Sequence, residues 1–220
     1  MKNLNQLLLD FNYEQNFKDD DFYVGKSNFY AFEMINKWPK WEKNFLNING
    51  EKFSGKTHLV NIFLKKFNGI KIDINSLNDE NLKSIKPYQN IVLEDLNLDI
   101  NEKLIYSLIN IIDQDNKFLI ITSIKPISEI NFQLEDLRSR TKNCIFANIQ
   151  NPDDELMFAL ILKNLSDRQI TLDKKLIDFI IKRIERSYGK IFEFIYKIDK
   201  ISLKKKKSID FKIINEALEE

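Results

Sequence analysis

The chain carries the sequence Gly50-Glu51-Lys52-Phe53-Ser54-Gly55-Lys56-Thr57, which matches G-x-x-x-x-G-K-[ST], the pattern of a phosphate-binding P-loop. Glycine lets such a loop turn tightly enough for its N–H groups to point at phosphate oxygens. Lys56 would reach the β- and γ-phosphates of a nucleotide, and the Thr57 hydroxyl would bind Mg²⁺. The whole chain has 5 glycines, and two of them lie here at the required spacing, so the match is specific.

The residues on either side of this motif supply the strand and the helix that a P-loop requires. Residues 45–48 (Phe-Leu-Asn-Ile) are typical of a short strand. After the motif, apolar residues recur at helical spacing, namely Leu59, Val60, Phe63, Leu64 and Phe67. This context favours a nucleotide-binding loop over the alternative, a strand-to-helix turn that merely contains Gly-Lys-Thr.

Composition and charge exclude several other classes of protein. With 220 residues, the chain is long enough for one domain, or for one domain with a small appendage. Its net charge of +1 gives no general attraction to nucleic acid or to an acidic membrane surface. The single Cys144 and the single His58 exclude an internal disulfide and a zinc site built from cysteines or histidines. Because the sequence has no long apolar run and no signal peptide, we expect a cytoplasmic protein.

Two predicted strands end in polar residues. Residues 90–95 form a buried strand that ends in Glu94 and Asp95. In P-loop enzymes such an acidic pair holds the shell of Mg²⁺ and polarises the attacking water, although exposed acids also end strands without that role. Residues 118–123 end in Thr122 and Ser123. Their hydroxyls either contact the γ-phosphate or the attacking water, or they simply end the strand.

The pattern along the chain predicts the fold class. Strand patterns at 70–74 and 144–147 complete a set of five, and apolar helices alternate with them. A further helix is expected over 28–37 with Ser27 as its N-cap. From residue 151 onward the pattern is helical, at about 153–165, 173–187, 189–202 and 209–219. We therefore predict an α/β fold with a five-stranded parallel sheet (21–150), a small all-α C-terminal lid (151–220) and an N-terminal segment (1–20).

The N-terminal segment has the form of a docking peptide. Its apolar cluster includes Gln6, Leu7, Leu9 and Phe11, and a polar, acidic stretch follows through Asp21. A short apolar cluster on a polar tether is typical of a peptide that binds a partner. The residue pattern alone leaves open the alternative, an N-terminal strand or helix that packs on the core.

Several stretches resemble the AAA+ domain of bacterial DnaA-type replication initiators. Residues 22–28 (Phe-Tyr-Val-Gly-Lys-Ser-Asn) resemble the entry to that domain, and His58-Leu59 after the P-loop is a characteristic pairing. Residues 134–140 (Leu-Glu-Asp-Leu-Arg-Ser-Arg) are similar to the segment that carries the arginine finger. The resemblance covers roughly residues 20–220 and implies an AAA+ core that binds ADP or ATP with Mg²⁺.

Within that group, the chain resembles the Hda family. We expect a protein without the initiator's N-terminal domain and without its C-terminal helix-turn-helix. Residues 6–11 (Gln-Leu-Leu-Leu-Asp-Phe) are similar to the Gln-Leu-x-Leu-x-Leu/Phe peptide that docks on the bacterial sliding clamp. The segment around Trp38, Pro39 and Trp41 resembles alphaproteobacterial members. The resemblance implies regulatory inactivation: the clamp-bound protein stimulates ATP hydrolysis by ATP-bound DnaA, with possible self-association and no sequence-specific DNA binding.

The resemblance also implies roles for individual residues. Arg140 would act in trans as an arginine finger, the alternative being a surface arginine in a salt bridge. Thr57, Glu94 and Asp95 would serve the metal, and the two acids would serve catalysis. Nucleotide contacts are expected from all residues of the P-loop and from four others, which are Tyr23, Val24, His58 and Lys190.

Three departures from the initiators bear on whether this chain hydrolyses ATP itself. Glu94 stands where the metal-linked acid is usually Asp, Ile124 stands where the initiators carry the sensor-1 Asp, and Lys190 replaces the sensor-2 arginine. The extra methylene of Glu94 moves its carboxylate, and Lys190 offers a point charge instead of a planar fork. All three changes weaken catalysis more than binding. The sequence therefore predicts a nucleotide binder with little ATPase activity of its own.

Other functions remain open at this stage. A DnaA-like adaptor of the helicase-loader type would use the same fold but would need a contact to DNA or to a helicase. An autonomous P-loop enzyme, such as a small-molecule kinase, would need a substrate pocket and lid arginines near the P-loop. A purely structural relic is disfavoured by the intact Gly55-Lys56-Thr57.

Overall fold

A computed structural model of the chain describes residues 22–97 and 101–219. The strands are β1 (Phe45–Gly50), β2 (Ile70–Asp73), β3 (Asn90–Leu96), β4 (Phe118–Ser123) and β5 (Ile145–Ile149). The helices before the last strand are α1 (Phe29–Lys37), α2 (Lys56–Lys66), α3 (Asp79–Ser84), α4 (Glu102–Gln114) and α5 (Glu135–Lys142). Those after it are α6 (Asp154–Asp167), α7 (Lys174–Ile181), α8 (Tyr188–Lys205) and α9 (Phe211–Glu219). The predicted docking peptide lies outside the described residues.

The five strands form one sheet in the order β2-β3-β4-β1-β5, and every neighbouring pair is parallel. The predicted α/β class and the five-stranded parallel sheet are therefore confirmed. Because parallel strands all end at one edge, the P-loop after β1 lies at the same edge as the carboxyl ends of β3 and β4. This order places β4 between β1 and β3.

Helices cover both faces of the sheet, so its strands are buried on both sides. One core lies between the sheet and α1 and α2, and it includes Phe63, Val92 and Ile120. A second core lies on the opposite face under α3, α4 and α5, and it includes Leu93 and Ile121. A third core joins α6, α7, α8 and α9, which together are called the C-terminal bundle below. Within the described ranges, no helix is long and apolar enough to span a membrane.

Some predicted boundaries were wrong. Ser27 does not cap α1, which begins at Phe29; the side chain of Asn28 instead accepts from Gly25 N at 2.8 Å and donates to Tyr23 O at 2.9 Å. The helix expected over 173–187 ends at Ile181, and a turn separates it from α8. Apolar periodicity continues through that turn, so the sequence pattern overestimated the helix.

Candidate nucleotide-binding site

The P-loop joins β1 to α2 with the backbone geometry that its glycines allow. Gly55 has φ +91°, in the left-handed region that residues with a Cβ rarely adopt. A Cβ at this position would also lie 3.0 Å from Cε2 of Phe22. The helix α2 begins at the next residue, Lys56, so its N-terminal amides and its positive dipole end point into the loop. The loop is therefore built to receive an anion.

Lys56 is folded onto the loop itself. Its Nζ donates to the carbonyl oxygens of Gly50 and Glu51, at 2.8 Å each. Burial lowers the pKa of Lys56, and the nearby carboxylates of Asp95, Glu51 and Glu94 oppose that change. Both of these hydrogen bonds go to carbonyl oxygens, so a phosphate would compensate the charge of this buried ammonium more fully.

The acidic strand end is shaped by a β-bulge. Leu93 pairs with Ile121 but Leu96 pairs with Ser123, so β3 has one extra residue at Glu94 and Asp95. Asp95 has φ +58°, and its N–H donates to Oγ1 of Thr122 at 2.9 Å. The bulge turns the two acids apart, since the Asp95 side chain is exposed whereas Glu94 is buried.

Glu94 is held by Lys71, a residue of β2. The Lys71 ammonium lies 3.0 Å from Glu94 Oε2, while Oε1 is buried and has no hydrogen-bond partner among the described residues. A buried carboxylate oxygen without a donor suits a cation or a water bound to one. In the described part of the chain, no cluster of three or more His, Cys, Asp or Glu side chains could hold a metal alone. The unpartnered Oε1 of Glu94 would thus fit a Mg²⁺ that arrives with phosphate.

The hydroxyls at the end of β4 are hydrogen-bonded within the fold, which favours strand termination over a contact with phosphate or water. Thr122 Oγ1 accepts from the Asp95 amide, as described above. Ser123 Oγ accepts from Asn47 Nδ2 at 2.9 Å and donates to the carbonyl of Lys125. Both residues are buried. These hydroxyls end the strand and fix the bulge, and the next residue, Ile124, is 63% exposed.

A cleft of about 680 Å³ adjoins the P-loop. Its walls come from the entry segment before α1, from the loop and the start of α2, and from α6 and α8; the lining includes Phe22, Tyr23, Val24, His58, Leu160 and Tyr188. His58 is buried and packs edge-on against the Phe22 ring, with centroids 5.2 Å apart. The cleft brings the predicted Tyr23, Val24 and His58 together beside the loop, in a volume typical of small-molecule sites.

Two predicted site residues lie apart from this cleft. Lys190, in the first turn of α8, forms an ion pair with Glu193 at 3.0 Å. Arg140 forms an ion pair with Asp113, which also accepts from Asn44 Nδ2 at 3.1 Å. Asn44 precedes β1 whereas the P-loop follows it, so the length of the strand, about 20 Å, separates Arg140 from its own P-loop. Arg140 therefore cannot serve the phosphate site of its own chain.

Sequence reasoning missed the residues that support the site. The sequence predicts Lys71 on a strand, but its contact with Glu94 follows from the register of β2 against β3, where Asp73 pairs with Glu94. The sequence places Glu51 in the P-loop, and the structure shows that its carboxylate binds the start of α8. No local pattern marks either contact, because each joins residues far apart in sequence.

The chain is similar in sequence and in fold to bacterial replication initiators. The chain is 26% identical to the chromosomal replication initiator protein DnaA of Thermoanaerobacter sp. (strain X514) over an alignment of 227 positions, which covers 91% of this chain and 51% of that protein. Domain III of DnaA from Thermotoga maritima has TM-score 0.75 and 18% identity, with 95% and 98% of the two chains covered. AMPPCP-bound DnaA from Aquifex aeolicus has TM-score 0.68 and 19% identity, with 86% and 67% covered.

The chain thus has the AAA+ fold and is homologous to the AAA+ domain of DnaA. It spans about half the length of the curated relatives it matches. No known family model matches it.

Proposed function

We propose that this chain is a nucleotide-binding regulator of chromosome replication of the Hda type. In this proposal it binds ADP or ATP with Mg²⁺ at the P-loop, docks on the DNA polymerase sliding clamp, and stimulates ATP hydrolysis by the initiator DnaA. The observation that carries the proposal is an intact P-loop in an AAA+ fold whose sequence is similar to DnaA over 91% of the chain.

Nucleotide binding is supported by the geometry of the loop and the cleft. The left-handed Gly55, the N-terminus of α2 and the inward-facing Lys56 supply amides and charge for the phosphates. The adjoining cleft has room for the nucleoside beside Tyr23 and His58. Bound Mg²⁺ would neutralise phosphate charge, with Thr57 and Glu94 as the residues that hold it. A related DnaA has been solved with AMPPCP.

The chain's own catalytic apparatus is attenuated. One oxygen of Glu94 is engaged by Lys71, the hydroxyls of β4 are bonded within the fold, and an exposed Ile124 follows them. Among the predicted residues, Asp95 is the acid left to orient a water. We therefore propose that the chain hydrolyses ATP slowly alone and acts on the nucleotide of a partner.

Arg140 is the residue that we propose for this action. It lies near the beginning of β1, whereas its own P-loop follows the end of that strand. This position suits a contact with a nucleotide held by a neighbouring molecule. There its guanidinium would stabilise the charge that develops on the γ-phosphate during hydrolysis. In the free chain the Arg140 guanidinium is paired with Asp113 at the surface, and binding of the partner would have to break this ion pair.

The clamp contact rests on residues 6–11, which lie outside the described residues. In this proposal Leu7, Leu9 and Phe11 enter an apolar groove of the clamp and Gln6 donates and accepts hydrogen bonds at its rim. Docking would hold this chain beside clamp-loaded DNA, and its effective concentration near DnaA would rise.

The test is a reconstituted hydrolysis assay. DnaA loaded with radiolabelled ATP is mixed with clamp-loaded DNA and with this chain, either wild type or carrying Gln6→Ala and Leu9→Ala. We expect the wild type to accelerate conversion of ATP to ADP and the double variant to fail in pull-down and in acceleration alike. If the wild type binds no clamp and accelerates nothing, the regulatory proposal is wrong, and the adaptor or stand-alone ATPase takes its place.

A further inference from the structure

A carboxylate of the P-loop occupies the N-terminus of helix α8 in the C-terminal bundle. Glu51 Oε1 accepts from Ser187 Oγ and from Gly189 N at 3.1 Å, and Oε2 accepts from Tyr188 N at 3.0 Å. The first amides of a helix have no partner within the helix. Glu51 therefore supplies the acceptors for the first two amides of α8 from a position more than 130 residues away in sequence, while the Ser187 hydroxyl accepts from the amide of Lys190.

The contact is shaped on both sides. A Cβ at Gly189 would lie 3.0 Å from Glu51 Oε1, so a side chain there would push the carboxylate away. Two residues after Glu51, the ring of Phe53 stacks on Phe192 of α8, with centroids 4.6 Å apart and planes 11° from parallel. The P-loop thus holds α8 by a charged contact and by an aromatic one.

The Glu51 carboxylate also acts electrostatically on two lysines, Lys56 of the loop and Lys190 in the first turn of α8. Burial lowers the pKa of Lys56, and Glu51 is among the carboxylates that act against this. The hydrogen bond from Lys190 to Glu193 raises the pKa of Lys190, and Glu51 adds a smaller effect in the same direction. A terminal phosphate that reached from Lys56 toward the dipole end of α8 would therefore meet a fixed negative charge.

We propose that Glu51 is an internal anion that latches α8 onto the P-loop and that the terminal phosphate of a nucleoside triphosphate must displace it. The second half of this statement rests on the proposed nucleotide binding; the first half does not. The device makes Glu51 a specificity-determining residue, since a diphosphate leaves the latch closed and a triphosphate competes for the same donors. It also couples the position of the C-terminal bundle to the number of phosphates bound.

The latch is tested first without nucleotide, by amide hydrogen exchange resolved by residue. Since no helical carbonyl precedes them, the amides of Tyr188 and Gly189 depend on Glu51 for their protection. We expect Glu51→Gln to speed exchange of these two amides about tenfold, because the carboxylate charge and one acceptor are lost. The control Glu193→Gln makes the same chemical change on α8 without a contact to the loop, and it should leave both amides as in the wild type. Unchanged exchange in Glu51→Gln would overturn the latch.

The competition is tested by titration with AMPPCP and with ADP. We expect Glu51→Gln to strengthen binding of AMPPCP about fivefold more than binding of ADP, because the removed charge faces the extra phosphate. An equal change for both nucleotides would refute the competition while the exchange result still decides the latch. If neither nucleotide binds the wild type, the proposed nucleotide function is wrong. The latch is then decided only by the hydrogen exchange of the Tyr188 and Gly189 amides.

Discussion

Replacing Arg140 with alanine should separate its structural role from its proposed action on a partner. Arg140 pairs with Asp113, and the two side chains are 37% and 45% exposed. An ion pair so open to water contributes about 0–1 kcal/mol. The guanidinium also lies 5.6 Å from the centroid of the Tyr106 ring, which adds about 0.5–1 kcal/mol. Arg140→Ala should therefore lower the free energy of unfolding by about 1 kcal/mol, or the Tm by about 2–4 °C.

The expected loss of stimulation is far larger. An arginine finger supplied in trans accelerates hydrolysis by about 10³–10⁵-fold, so removing it should abolish stimulation of DnaA within the sensitivity of the assay. At 25 °C the variant would remain almost fully folded, because 1 kcal/mol is a small part of the stability of a domain. Clamp binding by residues 6–11 should not change. The assay compares initial rates of ATP hydrolysis by clamp-activated DnaA with wild-type and variant chain.

Asp113→Asn gives the matched control. It removes the ion pair but leaves Arg140 in place, and the new amide can still accept from Asn44. If Arg140 acts on a partner, this variant keeps or increases stimulation, because the guanidinium no longer has to leave a carboxylate. If Arg140 is only a surface salt bridge, Asp113→Asn and Arg140→Ala should behave alike in stability and in stimulation. That equivalence would refute the finger.

Four further outcomes are expected. Gly55→Ala should destabilise the protein by about 1–2 kcal/mol in a denaturant melt and remove nucleotide-dependent stabilisation, because a Cβ at φ +91° is strained and lies 3.0 Å from the Phe22 ring. Lys71→Met should raise about fivefold the ratio of the nucleotide affinities measured with and without Mg²⁺, because Glu94 loses its counter-charge. Burial raises the pKa of Cys144 to about 12, so the native thiol should not react with a disulfide reagent at pH 8, whereas the urea-unfolded thiol should react within minutes. Between about pH 9 and pH 12 the thiol ionises in the unfolded chain but stays protonated in the folded one. The contribution of Cys144 to the free energy of unfolding should therefore fall as pH rises through this range.

Local sequence patterns predicted the sheet because strands that are buried on both faces consist of continuous apolar residues. A continuous apolar run such as Ile91, Val92 and Leu93, next to residues that alternate with helical patterns, is typical of an inner strand of a parallel sheet. The end of β3 was not predictable in the same way. Its extra residue at Asp95 depends on a hydrogen bond to Thr122, which lies on another strand, and no residue of β3 encodes that partner.

The P-loop pattern explains why some residues of the site could be predicted from the sequence and others could not. Its fixed positions, the glycines with Lys56 and Thr57, are set by the backbone path and by phosphate chemistry, so they can be recognised in any chain. Its variable positions are free of that constraint and face whatever the rest of the fold brings near. In this chain they face α8, where Glu51 binds the first turn and Phe53 stacks on Phe192. An expected capacity to bind phosphate thus follows from the motif, whereas the selectivity that we propose would depend on Glu51 and on the start of α8, which only the folded chain brings together.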